Sequence, residues 1–299
     1  MKIGNFTLTN ESKVFIIAEL SANHNGSLET AIETIKAAKR AGADCIKLQT
    51  YTADTITLDS DKDDFLIKGT IWDGRRLHEL YQEAYTPWEW HETLFQVARE
   101  EGLICFSSPF DTTAVDFLEQ LHAPAYKIAS FEITDIPLIE YTAKKGKPVI
   151  ISTGIAEYDD IALAVKTCKD AGNDQIVLLK CTSSYPAPIE EANMRMVEQI
   201  AKDFHVLTGL SDHTMGSIVI IVAVSLGAKI IEKHFILDRS IGGPDASFSM
   251  NEHEFKDMVD QVRLAEKALG KVDYKLTPKQ EAGKVFSRSQ IGRASCRER

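Results

Sequence analysis

Short apolar runs rich in β-branched residues recur along the chain, and longer amphipathic stretches sit between them. The runs are KVFIIAEL (13–20), CIKLQT (45–50), LICFSSP (103–109), AYKIAS (125–130), PVIISTG (148–154), IVLLKCTS (176–183), VLTGLSD (206–212) and KIIEKHF (229–235). Runs of this length and composition, bounded by polar residues and glycine, read as strands. The intervening stretches read as helices. SLETAIETIKAAKRAGA places Leu28, Ile32, Ile35 and Ala38 on one face, with Ser27 as N-cap and Gly42 as stop. PWEWHETLFQVAREEG opens on proline and closes on glycine. YDDIALAVKTCKDAG and GSIVIIVAVSLGA follow the same logic, and NEHEFKDMVDQVRLAEKALG reads as the last helix. Strand–helix alternation calls for a parallel sheet. Eight such units in about 270 residues fit a closed TIM-type (β/α)8 barrel better than an open doubly wound sheet. The glycine-rich turns form no G-x-G-x-x-G fingerprint, which weakens the dinucleotide-binding alternative. The barrel is expected over 1–285, with 286–299 as the start of a linker and an atypical tail. One connection is long: residues 51–86 follow the second strand, and a loop of that size on a barrel shapes the active site.

Composition narrows the function classes. The 299 residues are 44% hydrophobic and 26% charged, ordinary globular values. A formal net charge of -10 and a pI near 5.4 argue against nucleic-acid or membrane-surface binding, while leaving room for a local basic pocket. The longest apolar stretch, SIVIIVAVSLGAKII, is interrupted by Gly227 and Lys229 and is too short to span a bilayer. The N-terminus MKIGNFTLTNESK lacks the apolar core of a signal peptide, so the cytoplasm is the expected compartment. Cys45, Cys105, Cys168, Cys181 and Cys296 show no paired spacing and are expected as free thiols, those in strand runs acting as small hydrophobes.

The candidate chemistry lies at the strand ends. All eight runs finish in polar residues: Glu19, Ser21, Asn23 and His24; Lys47, Gln49 and Thr50; Ser107 and Ser108; Lys127 and Ser130; Ser152 and Thr153; Lys180, Thr182, Ser183, Ser184 and Tyr185; Ser211, Asp212 and His213; Glu232, Lys233 and His234. In a barrel these C-terminal ends line the active face. Alternation puts Lys47 with Gln49, Ser211 with His213, and Glu232 with His234 on shared faces, with Lys233 on the other. Lys127 and Ser130 have opposite parity, so that strand ends before Ser130. Two lysines and several hydroxyls suit a ligand carrying phosphate and carboxylate. Two imidazoles at the ends of adjacent strands suit a divalent transition metal with open positions. Glu19 and Glu232 suit a general base or contacts to a substrate hydroxyl. Plainer readings stand beside these. Lys47 and Lys127 could simply pair with Glu19 and Glu232. Trp72, Trp88 and Trp90 could form a sugar platform or only pack, with Trp88 and Trp90 beginning a helix. His122 and His205 read as hydrogen-bonded core histidines.

These stretches bear a family likeness. AELSANHNG (18–26), GADCIKLQTY (42–51), FSSPFD (106–111), YKIASFE (126–132), ISTG (151–154), KCTSSYP (180–186), GLSDHT (209–214) and EKHF (232–235) occur in order, and on them the chain resembles the sialic acid synthase family. Within it, AELSANHNGS, SDKDDFLIKGTIWDGRRLHELY and AYKIASFE are most like the pseudaminic acid branch; the N-acetylneuraminate and legionaminate branches share the core and differ in sugar-contacting loops. The resemblance implies condensation of phosphoenolpyruvate with an N-acylated sugar. It implies a divalent metal, Mn²⁺ first with Mg²⁺ or Co²⁺ as alternatives, on His213 and His234. It implies Glu19 as base for water, and Lys47, Lys127, Ser130, Ser152, Ser183 and Ser211 around phosphoenolpyruvate. Gln49, Tyr185, Glu232 and Asp245 match positions near the sugar. At Ser183 the sialic branch more often carries asparagine. The family also has a small C-terminal antifreeze-like (SAF) domain that caps the partner's site in a homodimer. Here VFSRSQ (285–290) is followed by IGRASCRER, so that domain is expected to be absent and turnover to be poor. Two other classes remain as alternatives on the residues alone: a Schiff-base aldolase using Lys127 or Lys180, and a non-catalytic sugar- or metal-binding barrel.

Overall fold

All eight expected strands form, and they close on themselves. The computed structural model describes residues 1–287. The strands are β1 Phe15–Glu19, β2 Cys45–Thr50, β3 Ile104–Pro109, β4 Tyr126–Ile128, β5 Val149–Ser152, β6 Ile176–Cys181, β7 Leu207–Asp212 and β8 Ile230–His234. Each pairs in parallel with its sequence neighbours, and β8 pairs with β1 (Ile230 opposite Phe15, His234 opposite Glu19) to complete the barrel. Strand β4 ends at Ile128, before Ser130, as parity requires.

Eight helices wrap the sheet: α1 Leu28–Arg40, α2 His91–Glu100, α3 Thr112–Gln120, α4 Ile136–Ala143, α5 Tyr158–Asp170, α6 Arg195–Phe204, α7 Ile218–Ser225 and α8 Glu252–Leu269. Their ends follow the local chemistry. The Ser27 hydroxyl accepts from the Thr30 amide to cap α1, and Gly42 takes a left-handed φ just beyond its end. Trp88 and Trp90 form a 3₁₀ turn leading into α2, as expected.

Alternation along the strands divides the apolar residues into two cores. Ile16, Ala18, Ile46, Leu48, Ile128, Ile151, Leu178 and Ile231 face outward and pack with Ile35, Ala38, Leu94, Val115 and Val262 of the helices. Phe15, Ile17, Cys45, Phe106, Ile150, Val177, Leu179 and Ile230 fill the lumen. The lumen is packed tightly enough to require Gly209: a Cβ there would lie 2.4 Å from the Ile230 carbonyl oxygen and 2.7 Å from a Leu179 methyl. A feature the sequence pattern does not announce is an antiparallel hairpin, Lys2–Ile3 with Phe6–Thr7. It plugs the N-terminal mouth of the barrel, where Ile3 and Leu8 join the inner core.

One expectation is corrected. His122 and His205 are not core residues. Both are exposed and take left-handed φ (57° and 54°) just after α3 and α6, where they end the helices. One compact unit spans Met1–Ala268, and residues 270–287 are exposed throughout. The expected tail, with Cys296, lies outside the described residues. Cys45, Cys105, Cys168 and Cys181 are free and buried. Among the described residues no helix is long and apolar enough to cross a membrane.

Candidate active site

The C-terminal rim of the barrel carries the sequence-predicted site residues in three zones. Its centre is charged and dry. Lys47, 3% exposed, stands between two carboxylates, with its Nζ 2.9 Å from Glu19 Oε2 and donating to Glu232 Oε1 at 2.8 Å. Lys127 Nζ lies 3.9 Å from the same Glu232 oxygen and donates to the Ile128 carbonyl. Ser211 also donates to Glu232 Oε1, at 3.0 Å. The ion-pair reading of the lysines is therefore correct.

The environment drives the two carboxyls apart. Burial raises Glu19 to about 7, only partly opposed by Lys47. Burial also works against ionised Glu232, but Lys127, Lys47 and the Ser211 hydroxyl outweigh it and hold that carboxyl at about 2. Burial lowers Lys127 to about 8 despite Glu232, while Lys47, buried as deeply, is held above its usual value by both carboxylates. One group poised near neutrality beside one firmly ionised is the arrangement that separates an acid–base role from an electrostatic one.

A second zone surrounds Gly154. Its amide donates to Ser130 Oγ at 3.1 Å. A Cβ on residue 154 would sit 2.1 Å from Ser183 Oγ, 2.7 Å from Ser130 Oγ and 3.1 Å from Cys181 Sγ. The missing side chain thus lets three polar groups converge. Ser152 and Ser108 each bury a hydroxyl with no hydrogen-bond partner. Together with Lys127 on the same rim, these hydroxyls are donors of the kind suited to an anion. Of the Ser107/Ser108 pair, Ser107 is committed elsewhere, to Thr50 in a chain that ends on His91.

The third zone holds the imidazoles. His213 and His234 lie with ring centroids 5.3 Å apart. His213 Nδ1 is 3.0 Å from the Thr182 carbonyl, which can only accept; Nδ1 therefore carries hydrogen, and Nε2 of the neutral ring keeps its lone pair. Burial opposes charge on His213, but Cys181 and the Thr182 carbonyl outweigh it and raise its pKa. Burial, His213 and three lysines push His234 well below its ordinary value. His234 Nδ1 is buried without a hydrogen-bond partner, 3.7 Å from Asp245 Oδ2. Two imidazoles, one holding an unpartnered buried nitrogen, fit a divalent cation that takes its remaining ligands from substrate or water. Among the described residues no group of three or more His, Cys, Asp or Glu is arranged to hold a metal by itself.

Tyr185 packs against His213 with tilted rings (centroids 4.3 Å) and meets Phe248 at 5.4 Å and Trp72 at 5.7 Å. Trp72 comes from the 51–86 insertion and donates through Nε1 to the Pro244 carbonyl, so that loop does shape the site. Trp88 stacks on Phe117 and donates through Nε1 to the Tyr51 carbonyl at 3.1 Å, while Trp90 meets His24 edge-on; neither forms a sugar platform at the rim. His24 is likewise structural, accepting from the Gly26 amide and meeting Thr86.

Sequence reasoning left several contributors without a role. Ser21 takes a left-handed φ of 47°, donates to Asp245 Oδ2 and accepts from Gln49, whose amide also donates to Glu19 Oε1. This joins Glu19 to Asp245 through two polar side chains. Glu132 buries an unpartnered Oε2 and is raised to about 7 by that burial. Cys181 is no inert hydrophobe: burial pushes its thiol up, but His213, Ser130 and Lys127 hold it at about 7. Parity could have flagged Cys181 as lumen-facing; the backbone twist at Ser21 leaves no mark in composition.

Comparisons with known proteins agree with this geometry. The sequence pattern of the NeuB family matches residues 34–274. The chain is 52% identical over 289 residues to a pseudaminic acid synthase of Campylobacter jejuni, covering 97% of this chain and 84% of that protein. It is 49% identical to the pseudaminic acid synthase of Helicobacter pylori over 92% and 81% of the two chains. The crystal structure of an N-acetylneuraminic acid (sialic acid) synthetase from Leptospira borgpetersenii superposes with a TM-score of 0.86 at 28% identity, covering 97% of each chain.

Proposed function

The chain belongs to the NeuB family, and from that premise we propose that it is a pseudaminic acid synthase. It condenses phosphoenolpyruvate with 2,4-diacetamido-2,4,6-trideoxy-β-L-altropyranose and water to give pseudaminic acid and phosphate. The observation that carries the reading is the joining, on one barrel rim, of a lysine-and-hydroxyl anion cradle to two facing imidazoles and a carboxyl near pH 7.

Each residue then has a task. Lys127 and Lys47 supply charge, and Ser130, Ser152, Ser183 and Ser211 supply directed donors, to the phosphate and carboxylate of phosphoenolpyruvate. His213 and His234 would hold a divalent ion, which when bound supplies Lewis-acid polarisation of the open-chain sugar aldehyde. Tyr185, Gln49 and Asp245 orient that sugar from the other side. Holding the two substrates in line converts their encounter into an effectively unimolecular step. Carbon 3 of phosphoenolpyruvate bonds to the aldehyde carbon, whose oxygen becomes a hydroxyl. Water adds at carbon 2 and Glu19 takes its first proton, which ends on the former aldehyde oxygen; the second leaves with phosphate as the bond between carbon 2 and the phosphate oxygen breaks and carbon 2 becomes a carbonyl. Glu232 stays ionised and stabilises the positive charge that develops at carbon 2. Mn²⁺ as the ion and a homodimer as the assembly belong to the same proposal; the first is read by metal reconstitution and the second by light scattering.

The test is phosphate release from phosphoenolpyruvate with the altrose sugar, and in parallel with N-acetylmannosamine, each with Mn²⁺ or with chelator. Metal-dependent release with the altrose sugar alone is the expected result. Release with N-acetylmannosamine instead would move the chain to the N-acetylneuraminate branch. Release unaffected by chelator would remove the metal from His213 and His234.

A further inference from the structure

Directly behind the two imidazoles lies a polar assembly that the reaction does not use. Asp212 and Lys233 are register partners across the β7–β8 ladder, each one residue before a histidine. They face away from the lumen, on the opposite side of the sheet from the Ser211–Glu232 pair of the preceding rung. Lys233 Nζ donates to Asp212 Oδ2 at 2.7 Å and also to the Thr214 carbonyl. Asp212 Oδ1 accepts from the Thr214 amide at 3.1 Å and its hydroxyl at 2.9 Å. All three residues are buried, at 2% exposure or less. His213 therefore sits in a turn gripped on both flanks, and the grip comes from the residue that precedes His234.

Such a pair is a poor device for stability alone. Dehydrating two charges offsets their attraction, and apolar replacements of similar shape are often as stable. What the arrangement does supply is fixed geometry. With Asp212 tied to Lys233, and Lys233 tied to Thr214, the backbone of His213 cannot turn independently of the strand that carries His234.

We infer that Asp212, Lys233 and Thr214 are positioning residues that set the spacing and orientation of the two imidazoles for a divalent cation. The inference rests on the proposed metal role of His213 and His234. Supporting groups of this kind change metal affinity roughly 10–100-fold when removed.

The experiment titrates Mn²⁺ alone into the full chain, reading free Mn²⁺ by electron paramagnetic resonance, with thermal unfolding measured alongside. Two variants cover the problem of folding. Thr214→Val removes one donor to Asp212 at nearly constant shape. The double variant Asp212→Asn with Lys233→Met removes both charges together, so neither is left buried alone. The expected result is Mn²⁺ affinity about 10–100-fold weaker in the double variant and weakened to a lesser extent in Thr214→Val, with unfolding temperatures close to the unaltered chain. Equal Mn²⁺ affinity in all three proteins would overturn the positioning role while leaving the metal reading intact. Affinity that falls only in step with thermal stability would assign the assembly to folding instead. No Mn²⁺ binding by the unaltered chain would overturn the metal reading and this inference with it.

Discussion

Glu19 and Glu232 share one lysine yet hold their protons at very different pH. Both are buried, and burial raises both; the difference is that Glu232 also faces Lys127 and Ser211, while Glu19 has Lys47 and the neutral Gln49. A base held at about 7 is half ionised at neutral pH, which favours proton transfer. The turnover number should therefore climb through pH 7 as Glu19 ionises. The same shift has a stability sign. The folded chain holds the Glu19 proton more tightly than the unfolded chain, so its contribution to stability is full below about 4.5 and is lost as pH rises through about 7. Glu19→Gln should lower turnover by roughly 10²–10⁴-fold, yet leave the unfolding temperature at pH 8 unchanged or higher. A variant that is both active and normal in its pH profile would remove Glu19 from the base role.

At the level of elements, the site is made by loops leaning on a rigid rim. The 51–86 insertion reaches the loop after β8 through the Trp72–Pro244 hydrogen bond, and Trp72 packs on Tyr185 and Phe248. These contacts lie on the side assigned to the sugar, and none of them is to a residue crowding Gly154. Trp72→Ala should raise the KM for the sugar about tenfold or more, consistent with loss of one hydrogen bond and an aromatic contact, with the KM for phosphoenolpyruvate little changed. Equal rises in both would mean that the insertion supports the whole rim. The insertion's length pointed to the site, but its partner did not, because a contact between residues 72 and 244 is a product of the closed barrel.

Across the whole molecule, the inner core is sealed at the N-terminal mouth by Ile3 and Leu8, both fully buried. Leu8→Ala should cost about 2–5 kcal/mol as a large-to-small core change, read by denaturant unfolding, while leaving kcat intact, because the chemistry sits at the opposite mouth. The division between what the chain's own pattern determined and what folding decided follows from range. Period-two runs, capped amphipathic stretches and polar strand ends are local, and local chemistry was enough to specify eight strands, the barrel, and the polar rim at their C-terminal ends. Parity even settled which lysine and which glutamate face inward. The failures are all long-range or conformational. His122 and His205 were mistaken because burial depends on where a helix ends. The convergence of Ser130 and Ser183 on Gly154, the Ser21 bridge from Gln49 to Asp245, and the Asp212–Lys233 grip behind the histidines each join residues far apart in the chain. The sequence lists the groups that can titrate, donate or ligate. Only barrel closure sets the distances and the dryness that decide which of them share a charge, and so which pKa values move and which imidazoles meet.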